Sequence, residues 1–172
     1  EGSGSAARLR AICELSLKNL GIETLDAFCM SRVDPTVPIE DSVGTMARMV
    51  EEGKTRFIGY SGDNEAAAHA AGIDEVAVIE TSISIFDQAN IDTVLPEAGR
   101  NNVGILAKRP IANAAWKDSS ERRGIYVDYA KTYAERLVKM AIEPADLGFP
   151  GDIGTAWSEI ALRFTLFQPG VT

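Results

Sequence analysis

Four short stretches place side chains that donate, accept or carry charge directly after an apolar run: Met30-Ser31-Arg32, Tyr60-Ser61-Gly62, Glu80-Thr81-Ser82 and Lys108-Arg109-Pro110. Ser31 and Ser61 each offer one hydroxyl donor, whereas Glu80, once ionised, only accepts. Arg109 carries a planar fork of donors that suits phosphate oxygens, with the compact charge of Lys108 before it and the backbone after Pro110 able to join it. Taken singly, each residue reads equally well as a solvated strand-end or loop residue, and Arg109 as one half of a surface ion pair. Cys13 and Cys29 form no CxxC or Cys/His cluster and fall in apolar patterns, so they read as reduced core thiols, and no metal site is expected. His69 is the one histidine and lies in the helical NEAAAHAAG, where it reads as solvated rather than catalytic. Tyr126, Tyr129 and Tyr133 read as packing residues, not proton donors.

The elements that must position these groups follow from periodicity. SAARLRAICELSLKNL (Ser5 to Leu20) spaces Leu9, Ile12, Cys13, Leu17 and Leu20 helically, and Gly21 stands where a helix ends. TLDAFCMSRV (Thr24 to Val33) is an apolar run closed by turn-prone residues, which predicts a buried strand. The order then repeats. A helix opens at Pro38 and stops at Gly53, TRFIGYSG is a strand, NEAAAHAAG a helix, Glu75 to Phe86 a strand with its continuation, IDTVLPEAGRNN a helix, and VGILAKRPIANAAW a strand running into a loop. Such alternation predicts βα units around a parallel sheet. Residues 117–153 are more polar, hold the helical VDYAKTYAERLVKMA, and read as a loop elaboration; GTAWSEIALRFTLFQ is a last helix, and PGVT reads as the start of a further strand. In a parallel barrel the active site lies at the C-terminal strand ends, which is where the four opening stretches fall. Eight units need about 250 residues, so a chain of 172 holds about half of them.

Composition bounds the partners. The hydrophobic share of 45% and charged share of 24% are those of a folded globular domain rather than a disordered or fibrous chain. A net charge of -8 with scattered basic residues argues against nucleic acid and anionic membrane as partners. No apolar window is long enough to span a bilayer and no signal-peptide pattern opens the chain, so a cytoplasmic protein is expected.

The run from Leu25 to Gly62 is similar to the middle of aldo-keto reductases, in which a strand ends near a His-Arg pair, a Pro-Ile-Glu-Asp/Glu helix start follows, and a Glu-Gly-Lys turn leads into the next strand. VGILAKRPIANAAW and SEIALRFTLFQPGVT resemble the next two blocks of that family. The resemblance implies an α/β fold of the (β/α)8 TIM-barrel type, present here as a partial barrel of about four βα units in a single domain, 1–172. It implies NADPH-dependent reduction of a small-molecule aldehyde or ketone by the complete barrel. The alternative is a catalytically inactive half-barrel that binds a nucleotide or self-associates, with a homodimer expected if the chain is complete.

Residue by residue, the resemblance sets Ser31 where the family has the histidine that orients the substrate carbonyl. Ser61 matches the serine of the Ser-Asn pair that holds the nicotinamide carboxamide; its asparagine is Gly62 here, with Asp63 or Asn64 as substitutes. Glu80 takes the place of a glutamine, and Lys108 that of an aromatic that stacks on nicotinamide, while Arg109 and Pro110 lie in the loop that follows the pyrophosphate. The family's Asp, Tyr and Lys, with Tyr as general acid, are expected from strands before Ser5, and its 2'-phosphate pocket after Thr172.

Overall fold

The structure, a computed structural model, describes residues 4–31, 37–118, 120 and 127–171. Arg32, Tyr126 and Thr172 therefore lie outside the described residues, as does the side chain of Tyr129. Helix α1 (Ala6–Leu20) buries Leu9, Cys13 and Leu17, four residues apart along one ridge, and ends at Gly21, whose φ of 67° is the left-handed conformation that glycine adopts without strain. Ile12 and Leu20, expected on the same stripe, are exposed, because they lie to the side of that ridge.

Strand β1 (Leu25–Ser31) leads to α2 (Ile39–Glu51), β2 (Thr55–Ser61), α3 (Asn64–Ala71), β3 (Val76–Ser82), α4 (Ala89–Arg100) and β4 (Gly104–Lys108). The four strands form one sheet in chain order, all parallel, as the alternation predicts. After Ser82 the chain leaves the sheet earlier than the reading to Phe86 expects: Ser84 and Asp87 close a tight turn that sends Ile85 and Phe86 into a second apolar cluster. The PGVT reading finds its counterpart in Val171, which makes a parallel bridge to Ile105 on the free edge of β4.

The two faces of the sheet differ. Phe28, Met30, Ile58, Tyr60, Ile79 and Ile105 are buried in one core with the apolar faces of α1 to α4. The opposite face leaves Phe57 55% and Leu106 46% exposed. Gly59 has no room for a side chain: an added Cβ would fall 2.5 Å from the Val78 carbonyl oxygen and 2.7 Å from Cys29 Sγ. The described part of 117–153 holds α5 (Val127–Met140) and a short 3-10 turn, Pro144–Leu147. With α6 (Ile153–Leu166) these build the second cluster over the ends of β3 and β4, in which Trp157 meets Phe86 edge-on at 5.4 Å and stacks on Trp116 at 6.4 Å. Thr165 Oγ1 donates to the Ile83 carbonyl at 3.3 Å and ties α6 to that end of the sheet. Among the described residues no helix is long and apolar enough to cross a membrane.

Candidate active site

Registered neighbours in a parallel sheet share a face, so strand register decides which candidates meet. Ser31 pairs with Ser61, Ser61 with Glu80, and one step further Ser82 pairs with Lys108. Ser31, Ser61 and Glu80 therefore stand side by side in one row at the C-terminal strand ends, on the face away from the helices. Arg109 and Pro110 follow β4 at the same end. His69 lies apart on α3, exposed and 3.0 Å from Glu40, in keeping with its reading as a solvated residue. Both cysteines are free thiols; Cys13 is buried and Cys29 half-buried.

Gly62 and Tyr60 are sterically coupled. A Cβ at Gly62 would fall 2.3 Å from Tyr60 Cε1 and 2.6 Å from its hydroxyl oxygen, and that ring is 3% exposed and cannot swing away. The missing side chain at position 62 is thus the space the Tyr60 ring occupies on the helix side. Installing the family residue with Gly62→Asn is expected to destabilise the fold by about 1 to 3 kcal/mol through overpacking. In a Tyr60→Val background the same change costs less, which thermal melts of the four variants of the cycle will show.

Asp63 turns inward and becomes the hub of the site. Its Oδ1 accepts from Ser82 N (2.7 Å), Thr81 Oγ1 (3.0 Å) and Asn90 Nδ2 (3.2 Å); its Oδ2 accepts from Ser82 Oγ (3.2 Å) and faces Lys108 Nζ at 3.7 Å. Burial by itself raises the Asp63 carboxyl, but the Ser82 backbone bond, the Lys108 charge and the Thr81 and Ser82 hydroxyls outweigh it and hold the group below its ordinary value. Asn90, 2% exposed, spends its second amide hydrogen on the Ser82 carbonyl (2.8 Å) and accepts from Asn64 N (2.7 Å). Of Asp63 and Asn64, weighed from the sequence as substitutes for the missing asparagine, Asp63 commits its carboxylate to this network and Asn64 enters it through its backbone N–H. Asn90 was missed; the available signal was a polar residue at the start of a helix, where a side-chain amide can satisfy loose backbone groups.

Arg109 Nη1 donates to Ser82 Oγ at 2.5 Å. The loop beyond it is left-handed at Arg109, Ala112, Asn113 and Ala114, with φ of 55°, 44°, 51° and 53°. Non-glycine residues rarely hold this conformation, and such clusters concentrate at functional sites. Within the loop the buried Asn113 Nδ2 has no hydrogen-bond partner among the described residues. A buried donor without a partner costs stability. Among the described residues no group of three or more His, Cys, Asp or Glu is placed to hold a metal.

Comparison with known proteins places these features. The model of the aldo/keto reductase family matches residues 1–172. A probable aldo-keto reductase 1 of Glycine max is 33% identical over 111 residues, which are 63% of this chain and 32% of that protein. The glycerol dehydrogenase of Gluconobacter oxydans superposes with a TM-score of 0.73 at 21% identity, covering 98% of this chain and 54% of its own. The holo form of an aldo-keto reductase from Bacillus halodurans gives 0.72 at 19% identity over 98% of this chain and 55% of its own. An aldo/keto reductase of Klebsiella pneumoniae in complex with NADP and acetate gives 0.60 at 22% identity over 77% of this chain and 48% of its own. The chain spans about half the length of these structures.

Proposed function

This chain belongs to the aldo/keto reductase family, and from that premise we propose that it is the cofactor-facing part of a barrel that reduces a small aldehyde or ketone with NADPH. The observation that carries the reading is the single row of Ser31, Ser61 and Glu80, with Arg109 beside it at the same strand ends. Ser31 is assigned the hydrogen bond to the substrate carbonyl, and Ser61 the hydrogen bond to the carboxamide. Ionised Glu80 accepts from the carboxamide N–H group, the interaction open to a carboxylate where the family has a glutamine. Gly62 leaves the carboxamide with one side-chain partner fewer. Lys108, Arg109 and the backbone after Pro110 are assigned to the phosphates. The bound dinucleotide supplies the hydride, and the protein supplies orientation and charge. Two thiols that form no disulfide fit a reducing, cytoplasmic setting.

Titration of NADPH into the full chain, followed by nicotinamide fluorescence, tests the assignment. Ser61→Ala and Glu80→Ala are each expected to weaken binding several-fold without lowering the melting temperature, and unchanged affinity in both variants removes these residues from the site.

The alternative, a self-associating and catalytically inactive half-barrel, is favoured by a different observation. Phe57 and Leu106 are exposed on the open face, and among the described residues β1 pairs on one side only. Unpaired strand edges and exposed apolar patches tend to find partners. The 172-residue chain by itself is therefore expected to run as a dimer or larger in light scattering, and a monodisperse monomer at high concentration contradicts this.

A further inference from the structure

The turn that follows β3 and the last turns of α5 frame an open cavity of about 410 Å³, which shares no lining residue with the row of Ser31, Ser61 and Glu80. That volume falls in the range of small-molecule pockets, about 300 to 1,000 Å³. Ile85, Phe86 and Met140 give the cavity an apolar side. Its charged side is Asp87 with Arg136 and Lys139, which stand one turn apart on α5.

The acid is already engaged. Asp87 Oδ1 accepts from Arg136 Nη1 at 2.9 Å, and Oδ2 accepts from the Tyr133 hydroxyl at 3.1 Å. Gln88, also on the rim, donates its amide to the Ile85 carbonyl at 2.9 Å. Arg136 is held by two further contacts: the same Nη1 donates to the Phe86 carbonyl at 2.7 Å, and the guanidinium carbon lies 5.7 Å from the centre of the Tyr133 ring. A long side chain fixed in this way has given up freedom that a ligand would otherwise have to remove on binding. Among the described residues the Nε and Nη2 edge of this guanidinium has no acceptor.

Lys139 stands four residues after Glu135, the order and spacing at which a helix forms an ion pair, yet among the described residues it makes none. Two cations therefore face one engaged acid, a local excess of positive charge in a chain whose net charge is -8. The free edge of a guanidinium matches the two oxygens of a carboxylate, and the apolar side of the cavity suits a hydrocarbon chain behind that head.

We propose that this cavity is a ligand site for a small carboxylate with a short apolar chain, its head held by Arg136 and Lys139 and its chain laid on Ile85, Phe86 and Met140. Such a ligand bridges the turn after β3 to the insert. The site is independent of the carbonyl reduction proposed above.

The test titrates the full chain with hexanoate, hexanol and inorganic phosphate, reading binding from the broadening of each ligand's NMR resonances and measuring melting temperatures in parallel. Hexanoate is expected to bind saturably and to raise the melting temperature. Hexanol lacks the charge and phosphate lacks the chain, and each is expected to bind about tenfold more weakly. Lys139→Gln, at an exposed position, is expected to weaken hexanoate about fivefold, the scale of a partly exposed ion pair, without lowering the melting temperature of the free protein. Lys131→Gln, on the same helix but outside this cavity, leaves hexanoate binding unchanged. Arg136→Lys keeps the charge, gives up the two-donor edge, and is expected to weaken hexanoate at least as much as Lys139→Gln. Absence of saturable hexanoate binding overturns the site, as does hexanol or phosphate binding as tightly as hexanoate. Hexanoate affinity untouched by Lys139→Gln, or lowered equally by Lys131→Gln, overturns it as well.

Discussion

NADPH oxidation by the 172 residues alone is expected to stay at the buffer rate across a panel of aldehydes and ketones. A carbonyl reduction needs a proton donor at the carbonyl oxygen, and among the described residues neither of the two phenols near this end of the sheet, Tyr60 and Tyr133, is offered to a substrate on the open face. Tyr60 is 3% exposed, lies on the helix side, and its hydroxyl is raised first by burial and then by Asp63. Tyr133 gives its hydrogen to Asp87 and titrates only at about 12. His69 lies on α3 beside Glu40, and Ser31 brings a hydroxyl where the resemblance expects an imidazole. Among the described residues no general acid is positioned on the open face, and lacking one costs about 10² to 10⁴ in rate, with imperfect placement of two reactants costing more. Turnover well above buffer that Ser31→Ala abolishes would make Ser31 the catalytic group. Turnover indifferent to that variant would place the proton donor among residues assigned no role here.

The second large effect is expected at Asp63. Asp63→Ala removes the acceptor of two hydroxyls, one buried backbone N–H and one buried amide, and strands the Lys108 charge beside them. Leaving buried donors of this kind unmatched costs about 3 kcal/mol, which in a chain of this size lowers the melting temperature by roughly 6 to 12 °C. Asp63→Asn is expected to do little better, because its amide hydrogens would face groups that are themselves donors.

The pH dependence has a definite sign. The folded carboxyl lies below its unfolded value of about 4, so the contribution is complete above that value and is lost as pH falls through the lower, folded one. Parent and Asp63→Ala melting curves should therefore lie apart at neutral pH and converge as the solution is acidified through that window. Curves that coincide at pH 7 would remove Asp63 as a structural hub.

Much of the frame was legible because it is periodic. Helical spacing found the ridge of α1, Gly21 its end, the βα alternation the parallel sheet, and the short PGVT segment the bridge of Val171 to β4. The motif order also marked the strand ends, and register then gathered Ser31, Ser61 and Glu80 into one row. What was not legible depends on contacts between distant residues. No spacing rule connects Asp63 to Asn90, or Asp87 to Tyr133, since each pair meets only after the strands and the insert have packed. The left-handed turn at Ala112 to Ala114 contains no glycine to announce it. Gly62 reads in the sequence as a lost asparagine, and only the position of the Tyr60 ring shows that the smaller residue fills a steric need.

The match between strand order and chain order also constrains how the sheet is assembled. Every strand finds its partner in the strand made just before it, so none has to be threaded between two that are already joined. Each addition closes a single helical crossover, and the entropy of each closure is met by the pairing that follows at once. During synthesis β2 can pair on β1, β3 on β2, and β4 on β3. The late step is of another kind: Thr165 must return to Ile83, and Trp157 to Phe86, across the whole insert. The end of the sheet that carries the charged groups is therefore completed by contacts of the longest sequence separation, which are expected to form after the strands have paired.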